Sequence, residues 1–146
     1  FIEDRPGIYD LIFLDAFGTD STPYHLTTRE FFLAVKKALT SRGVALGNIW
    51  KRSYNTLYDP MIRTYLNVFD EVHIVDVREA ANNILIALPQ RLKLTREDFA
   101  ARARRVSQSK GFRFDMGAIV EAGYRRADKE AGSGPVLTDG EQPKSR

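Results

Sequence analysis

Asp15 is the first residue whose type and position suggest chemistry. It closes the apolar run Tyr9-Asp10-Leu11-Ile12-Phe13-Leu14 and opens a polar, Gly- and Pro-containing loop that runs to Pro23. Open α/β sheets bind ligands outside the carboxyl ends of their strands. A carboxylate there can hold a cationic amine or take a proton from it; otherwise it simply caps the loop. Asp20 and His25 share that loop, Asn48 ends a second strand-like run, and Asp139 stands near the C-terminus. His25 either faces the pocket or is a satisfied structural histidine, and Asn48 either meets substrate or makes a strand-end hydrogen bond. Trp50 and Tyr54 either wall an apolar pocket or belong to the core.

Composition removes several other chemistries. The chain has no cysteine, which excludes a disulfide framework and a thiolate metal site. With His25 and His73 as its two histidines, a histidine-rich metal site is not expected, and no metal is assigned. No apolar run reaches the length of a bilayer span, so no membrane contact by this segment is expected. The net charge of +3 comes from late basic stretches, 91–110 and 125–129, interleaved with Glu97, Asp98 and Glu130. That interleaving reads as a solvated helix face, and without a dense basic stripe or a known module no nucleic-acid partner is expected.

The elements that must position these residues are legible from periodicity. The first run, four apolar residues between two aspartates, predicts a strand buried on both faces. Thr27 or Thr28 opens a helix, with Thr27 and Glu30 in capping-box spacing, and Arg42-Gly43 is expected to close it. Residues 44–50 predict a second strand, making a βαβ unit. A helix over 55–68 carries Pro60 near its first turn, where proline is tolerated. Runs 72–77 and 83–88, joined by a short connection, suit an antiparallel pair. Thr95-Arg96-Glu97-Asp98 opens a helix to about Ser107, and 114–125 predicts another. Residues 1–126 are expected to form the domain. Residues 127–146, rich in Gly, Ser, Pro and charge, are expected to be a flexible tail, ordered only where it docks.

The stretch YDLIFLDAFGTDSTPYHLTTREFF resembles the spermidine synthase family, whose bacterial branch carries YDLI-x-x-DAF, then P-x-HLLT-x-EF. LTSRGVALGNI is similar to that branch's L-x-x-GG-V-x-x-x-N-I, and GPVLTDGEQP resembles its LTDD-x-x-P ending. The resemblance implies the second half of a Rossmann-like S-adenosylmethionine methyltransferase fold: an α/β, mostly parallel sheet ending in an antiparallel strand pair. It implies an aminopropyltransferase that moves an aminopropyl group from decarboxylated S-adenosylmethionine to a polyamine such as putrescine. Asp15 matches the aspartate that holds and deprotonates the attacking amine. Asp15, Ala16 and Phe17 match the cofactor-side motif, and Asp20, His25, Asn48 and Asp139 are the substrate-side candidates. Asp20 departs from the family's D-x-x-D spacing, and Gly140 stands where the family has a second tail aspartate.

The family's glycine-rich cofactor turn would precede Phe1, so the chain is expected to be a C-terminal half, inactive alone. Its parent is expected to be cytoplasmic, with a homodimer as a candidate assembly. Two other readings stay open: a methyltransferase using S-adenosylmethionine itself, and a non-catalytic module that binds a partner or polyamine without turnover.

Overall fold

The computed structural model describes residues 2, 4–16, 22–128 and 131–140. It contains five strands, β1 (Tyr9–Leu14), β2 (Leu39–Trp50), β3 (Glu71–Asp76), β4 (Asn82–Leu88) and β5 (Tyr124–Ala127). The helices are α1 (Arg29–Ala38), α2 (Tyr58–Val68), α3 (Arg96–Lys110) and α4 (Met116–Gly123). The strands form one sheet in the order β1-β2-β4-β3-β5. β1 and β2 are parallel, and β4 is antiparallel to both β2 and β3, so β1, β2 and β3 share a direction. β5 pairs antiparallel with the far side of β3.

The expected antiparallel pair is therefore β3/β4, but the sheet is mixed rather than mostly parallel. The hairpin returns β4 into the gap between β2 and β3, which removes a parallel contact, and β5 adds a second reversed strand. Helices α1 and α2 cover one face, where Phe32, Val35, Ile62, Tyr65, Val72, Ile74 and Leu85 make the larger core. Helices α3 and α4 cover the other, over Val75, Ile84, Ile86 and Tyr124. Full burial of a Leu, Ile or Phe side chain contributes roughly 1.5–3 kcal/mol, so these two layers dominate stability.

β1 corrects one expectation. Leu11 is 46% and Phe13 69% exposed, so this strand is not buried on both faces. Its inner residues Ile12 and Leu14 pack on the larger core. The α3/α4 layer lies over β3 and β5, and among the described residues no helix reaches the outer face of β1. A continuous apolar run does not encode which neighbours will be present.

Helix ends show where local signals held. Thr28, not Thr27, is the N-cap of α1, its hydroxyl accepting from the Phe31 N–H at 3.4 Å, while the Thr27 hydroxyl donates to the Tyr24 carbonyl at 2.7 Å. Helix α1 stops at Ala38, and Leu39 begins β2 directly. Gly43 is accordingly a strand position, not a helix stop. The register jumps there from Tyr9↔Leu39 to Leu11↔Val44, and a Cβ on Gly43 would lie 2.8 Å from the Tyr9 carbonyl oxygen. Thr95 and Asp98 form a complete capping box for α3, which ends at Gly111 in the left-handed conformation (φ 64°).

The predicted helix over 114–125 is the shorter α4 followed by β5. Gly123 makes that turn possible, because a Cβ there would collide with the Asp76 carbonyl. Beyond β5, residues 131–140 dock on the first layer. Leu137 is 2% exposed; its N–H donates to Thr64 Oγ1 at 2.9 Å and its carbonyl accepts from the Arg29 N–H at 2.8 Å. Among the described residues no helix is long and apolar enough to cross a membrane.

Candidate functional site

The carboxyl ends of β1 and β2 and the amino end of antiparallel β4 meet at one rim of the sheet. Leu14 pairs with Gly47, which puts Asp15 beside Asn48. Asn48 Nδ2 donates to Asp15 Oδ1 at 3.1 Å, and Asn82 Nδ2, from the first residue of β4, donates to Asn48 Oδ1 at 2.8 Å. Three side chains, one just past β1 and the others on β2 and β4, thus form one directional chain ending on an exposed carboxylate. Among the described residues nothing occupies the second carboxylate oxygen of Asp15.

The rim chain borders a cavity of about 210 Å³. Asp15, Ala16 and Asn48 form its polar mouth, and Leu26, Phe31, Met61 and Tyr65 form its apolar wall. Tyr65 comes from α2 and is 1% exposed, and burial drives its phenol well above the ordinary tyrosine range. Gly47 sits against this ring, with space for no side chain: an added Cβ would come within 2.5 Å of the Tyr65 hydroxyl. The lining is thus largely apolar, and its polar groups are the Asp15 carboxylate, the Asn48 amide, the Thr22 hydroxyl and the Tyr65 phenol. Such a site suits a cation carried on an aliphatic body.

The other predicted site residues divide. His25 is exposed on the 3-10 turn Tyr24–Leu26 and, with Asp139, Glu30 and Ala34, lines a neighbouring groove rather than this cavity. The Asp139 N–H donates to Glu30 Oε2 at 3.2 Å. Phe31 lines both this groove and the Asp15 cavity, whereas His25 lines the groove. Phe17 and Asp20 lie outside the described residues. Trp50 and Tyr54 do not line the cavity with Asp15, and Tyr54 is 64% exposed.

Sequence reasoning missed Asn82. Its signal was the Asn-Asn pair at the start of a strand-like run, which has meaning only once β4 is known to lie beside β2. A larger cavity, about 660 Å³, opens at the ends of β2 and β3 between Lys51, Asp76, Arg78 and Ile119. Of its two carboxylates, Asp76 and Glu79, the first is already paired: Lys51 Nζ lies 2.6 Å from Asp76 and also donates to the Val77 carbonyl at 2.9 Å. Among the described residues no group of three or more His, Asp or Glu side chains is arranged to hold a metal ion.

No family model matches the chain. It is 38% identical over 81 residues to the polyamine aminopropyltransferase of Vibrio vulnificus (strain CMCP6), a match that takes in 55% of this chain and 26% of that protein. In three dimensions it is similar to a probable spermidine synthase from Corynebacterium glutamicum ATCC 13032, with a TM-score of 0.65 and 20% identity over 99% of this chain and 53% of that one. It also resembles human Methyltransferase-like protein 13, solved in complex with SAH, with a TM-score of 0.55 and 20% identity over 78% of this chain and 47% of that one. The chain spans about half the length of these solved structures. It is spermidine-synthase-like in sequence over part of its length, and its α/β sheet is that of the S-adenosylmethionine-dependent methyltransferase fold.

Proposed function

We propose that this chain supplies the amine-binding side of an aminopropyltransferase site, with Asp15 as anchor and base for a polyamine such as putrescine. The observation that carries the reading is the Asp15 carboxylate at the carboxyl rim of the sheet, beside a largely apolar cavity, with Asn48 on one oxygen and no partner on the other among the described residues. A protonated amine cannot attack carbon. A carboxylate within hydrogen-bond reach holds the ammonium, takes or steers its proton, and keeps the freed lone pair aimed.

In the reaction the amine nitrogen forms a bond to the methylene beside a sulfonium, the carbon–sulfur bond breaks, and methylthioadenosine leaves with the bonding electrons. The amine proton passes to Asp15 and then to solvent. Leu26, Phe31 and Met61 provide a dry bed for the methylenes, which strengthens the pairing of ammonium and carboxylate.

The fit of the S-adenosyl group is partial. No G-x-G-x-x-G turn occurs in this sequence, and a 210 Å³ cavity lies below the roughly 300–1,000 Å³ typical of ligand pockets. The residues present therefore fit the acceptor end of the reaction. Asp15 and Ala16 would edge the cosubstrate, decarboxylated S-adenosylmethionine, whose contribution when bound is an electrophilic carbon next to a positive sulfur.

The test is Asp15→Asn in the chain's natural polypeptide, assayed with putrescine and decarboxylated S-adenosylmethionine. Loss of a general base costs roughly 10²–10⁴ in rate; unchanged turnover removes Asp15 from the mechanism. A methyltransferase reading has support in the fold shared with the human methyltransferase-like protein. The products separate the two, methylthioadenosine for one and S-adenosylhomocysteine for the other. A non-catalytic module would give neither product.

A further inference from the structure

We propose that Asn82 is a positioning residue for the amine-binding carboxylate: it sets the amide of Asn48 so that Asn48 donates to Asp15, leaving the second Asp15 oxygen for a primary ammonium group. This rests on the reading of Asp15 as amine anchor and adds to it a residue and a cause.

The argument begins with the ambiguity of an asparagine. Its amide presents an acceptor on one side and two donors on the other, and the two orientations have nearly the same shape. Beside a carboxylate the difference is large. With the NH₂ toward Asp15, Asn48 makes a charge-assisted hydrogen bond. With the oxygen toward Asp15, two acceptors would face each other across 3.1 Å. Asn82 decides between them, because its own NH₂ takes the Asn48 oxygen at 2.8 Å.

The sheet holds Asn82 in place. Trp50 pairs with Asn82 and Asn48 with Ile84, so Asn48 and Asn82 are diagonal neighbours on one face of an antiparallel ladder, within side-chain reach. The Lys51 N–H donates to the Ala81 carbonyl at 2.7 Å and extends the pairing one residue beyond β4. The orienting group therefore belongs to a strand, not to the mobile end of a loop. One Asp15 oxygen carries a neutral donor, and the other accepts from no group among the described residues. That asymmetry favours a compact ammonium with three donors over a guanidinium, which takes both oxygens at once.

The experiment compares Asn82→Ala and Asn82→Asp in the natural polypeptide. Asn82→Ala removes the donor and is expected to raise the KM for putrescine about tenfold, the scale of one hydrogen bond to a charged network, with the KM for the sulfonium substrate unchanged. Asn82→Asp has the same shape but only acceptors. It is expected to take the Asn48 NH₂ for itself, turn the Asn48 oxygen toward Asp15, and cost more than Asn82→Ala. A readout independent of activity is the ¹⁵N–¹H side-chain amide signal of Asn48, expected to shift in both variants while backbone signals of β2 stay in place.

Unmoved Asn48 signals, or Asn82→Asp no worse than Asn82→Ala, would overturn the proposal. If Asp15→Asn leaves putrescine turnover intact, the underlying reading fails. The amide signals then still report whether the three side chains are linked, and the amine-positioning role is overturned with the reading.

Discussion

Two carboxylates in this molecule sit at opposite ends of the sheet, each in a short chain of polar side chains, and they do opposite things. Asp15, Asn48 and Asn82 line the rim where β1 and β2 end, open to solvent. Glu71, His73 and Tyr124 lie where β3 begins and along its partner β5, sealed under α3. Glu71 and His73 have side chains 0% and 3% exposed. Glu71 Oε2 accepts from the N–H groups of Leu92 and Lys93 at 2.9 and 3.0 Å. Its Oε1 lies 3.0 Å from His73 Nε2 without hydrogen-bond alignment, and His73 Nδ1 meets the Tyr124 hydroxyl at 2.8 Å. Phe99 stacks on the His73 ring.

The buried cluster has the residue types of a catalytic constellation, Glu, His and Tyr, yet none of them lines the two cavities or the groove described above. Its carboxylate is consumed in holding the backbone where Lys93 takes a left-handed conformation (φ 52°) just before α3. The rim chain has humbler residue types but, among the described residues, leaves one carboxylate oxygen without a partner. Chemistry needs an unspent group next to space, and burial alone provides neither.

The largest expected effect tests that contrast directly. Asp15→Asn should cost roughly 10²–10⁴ in turnover and, as a surface change, leave stability within about 0.5 kcal/mol. Glu71→Ala should do the reverse. It strips the Leu92 and Lys93 N–H groups of their acceptor in a buried site, for a loss of about 3 kcal/mol by chemical denaturation, with the rate per folded molecule unchanged. Equal effects of the two substitutions on both measurements would erase the distinction.

Gly47→Ala sharpens the comparison from the packing side. The new methyl would meet the Tyr65 hydroxyl, and over-packing of this kind costs about 1–3 kcal/mol. Tyr65→Phe in the same chain should recover most of that loss, read as a shift in denaturation midpoint. A full-sized loss in the double variant would place the strain elsewhere.

The smallest effect is a pH dependence. Burial holds the pKa of His73 below the ordinary histidine value, against the upward pull of Glu71 and with a further downward push from Arg126. The unfolded chain therefore binds the His73 proton more readily than the folded one. The stability that neutral His73 contributes is complete above the unfolded histidine pKa of about 6.5, and it is lost as pH falls below that value toward the folded pKa. Melting temperature is expected to decline between pH 7 and 5.5, and more gently in His73→Gln. An identical slope in that variant would assign the acid sensitivity to other groups.

Much of the fold was legible because its signals are local. Helix starts at Thr28 and Thr95 follow from a hydroxyl three residues before an N–H it can cap, and the β3/β4 pair from two apolar runs with a short polar link. Gly43 misled, because a glycine after a helical stripe looks the same whether it ends a helix or lets a neighbouring strand's carbonyl come close. β5 was missed since four residues, Tyr124–Ala127, carry too little periodicity to stand apart from the helix before them. At the site, Asp15 and Asn48 were visible as strand-end polar residues. Asn82 was not, because its importance comes from a neighbour 34 positions away.

The amino-acid sequence alone determined most of the helices and strands, β5 excepted, and that a carboxylate follows the first strand, since capping and side-chain alternation depend on residues a few positions apart. Only the tertiary structure decided that β4 runs backward between β2 and β3, which brings Asn82 to the rim and into line with Asn48 and Asp15. Strand order depends on how two faces of a sheet are covered at once, and that balance is a property of the whole packed molecule rather than of any single segment.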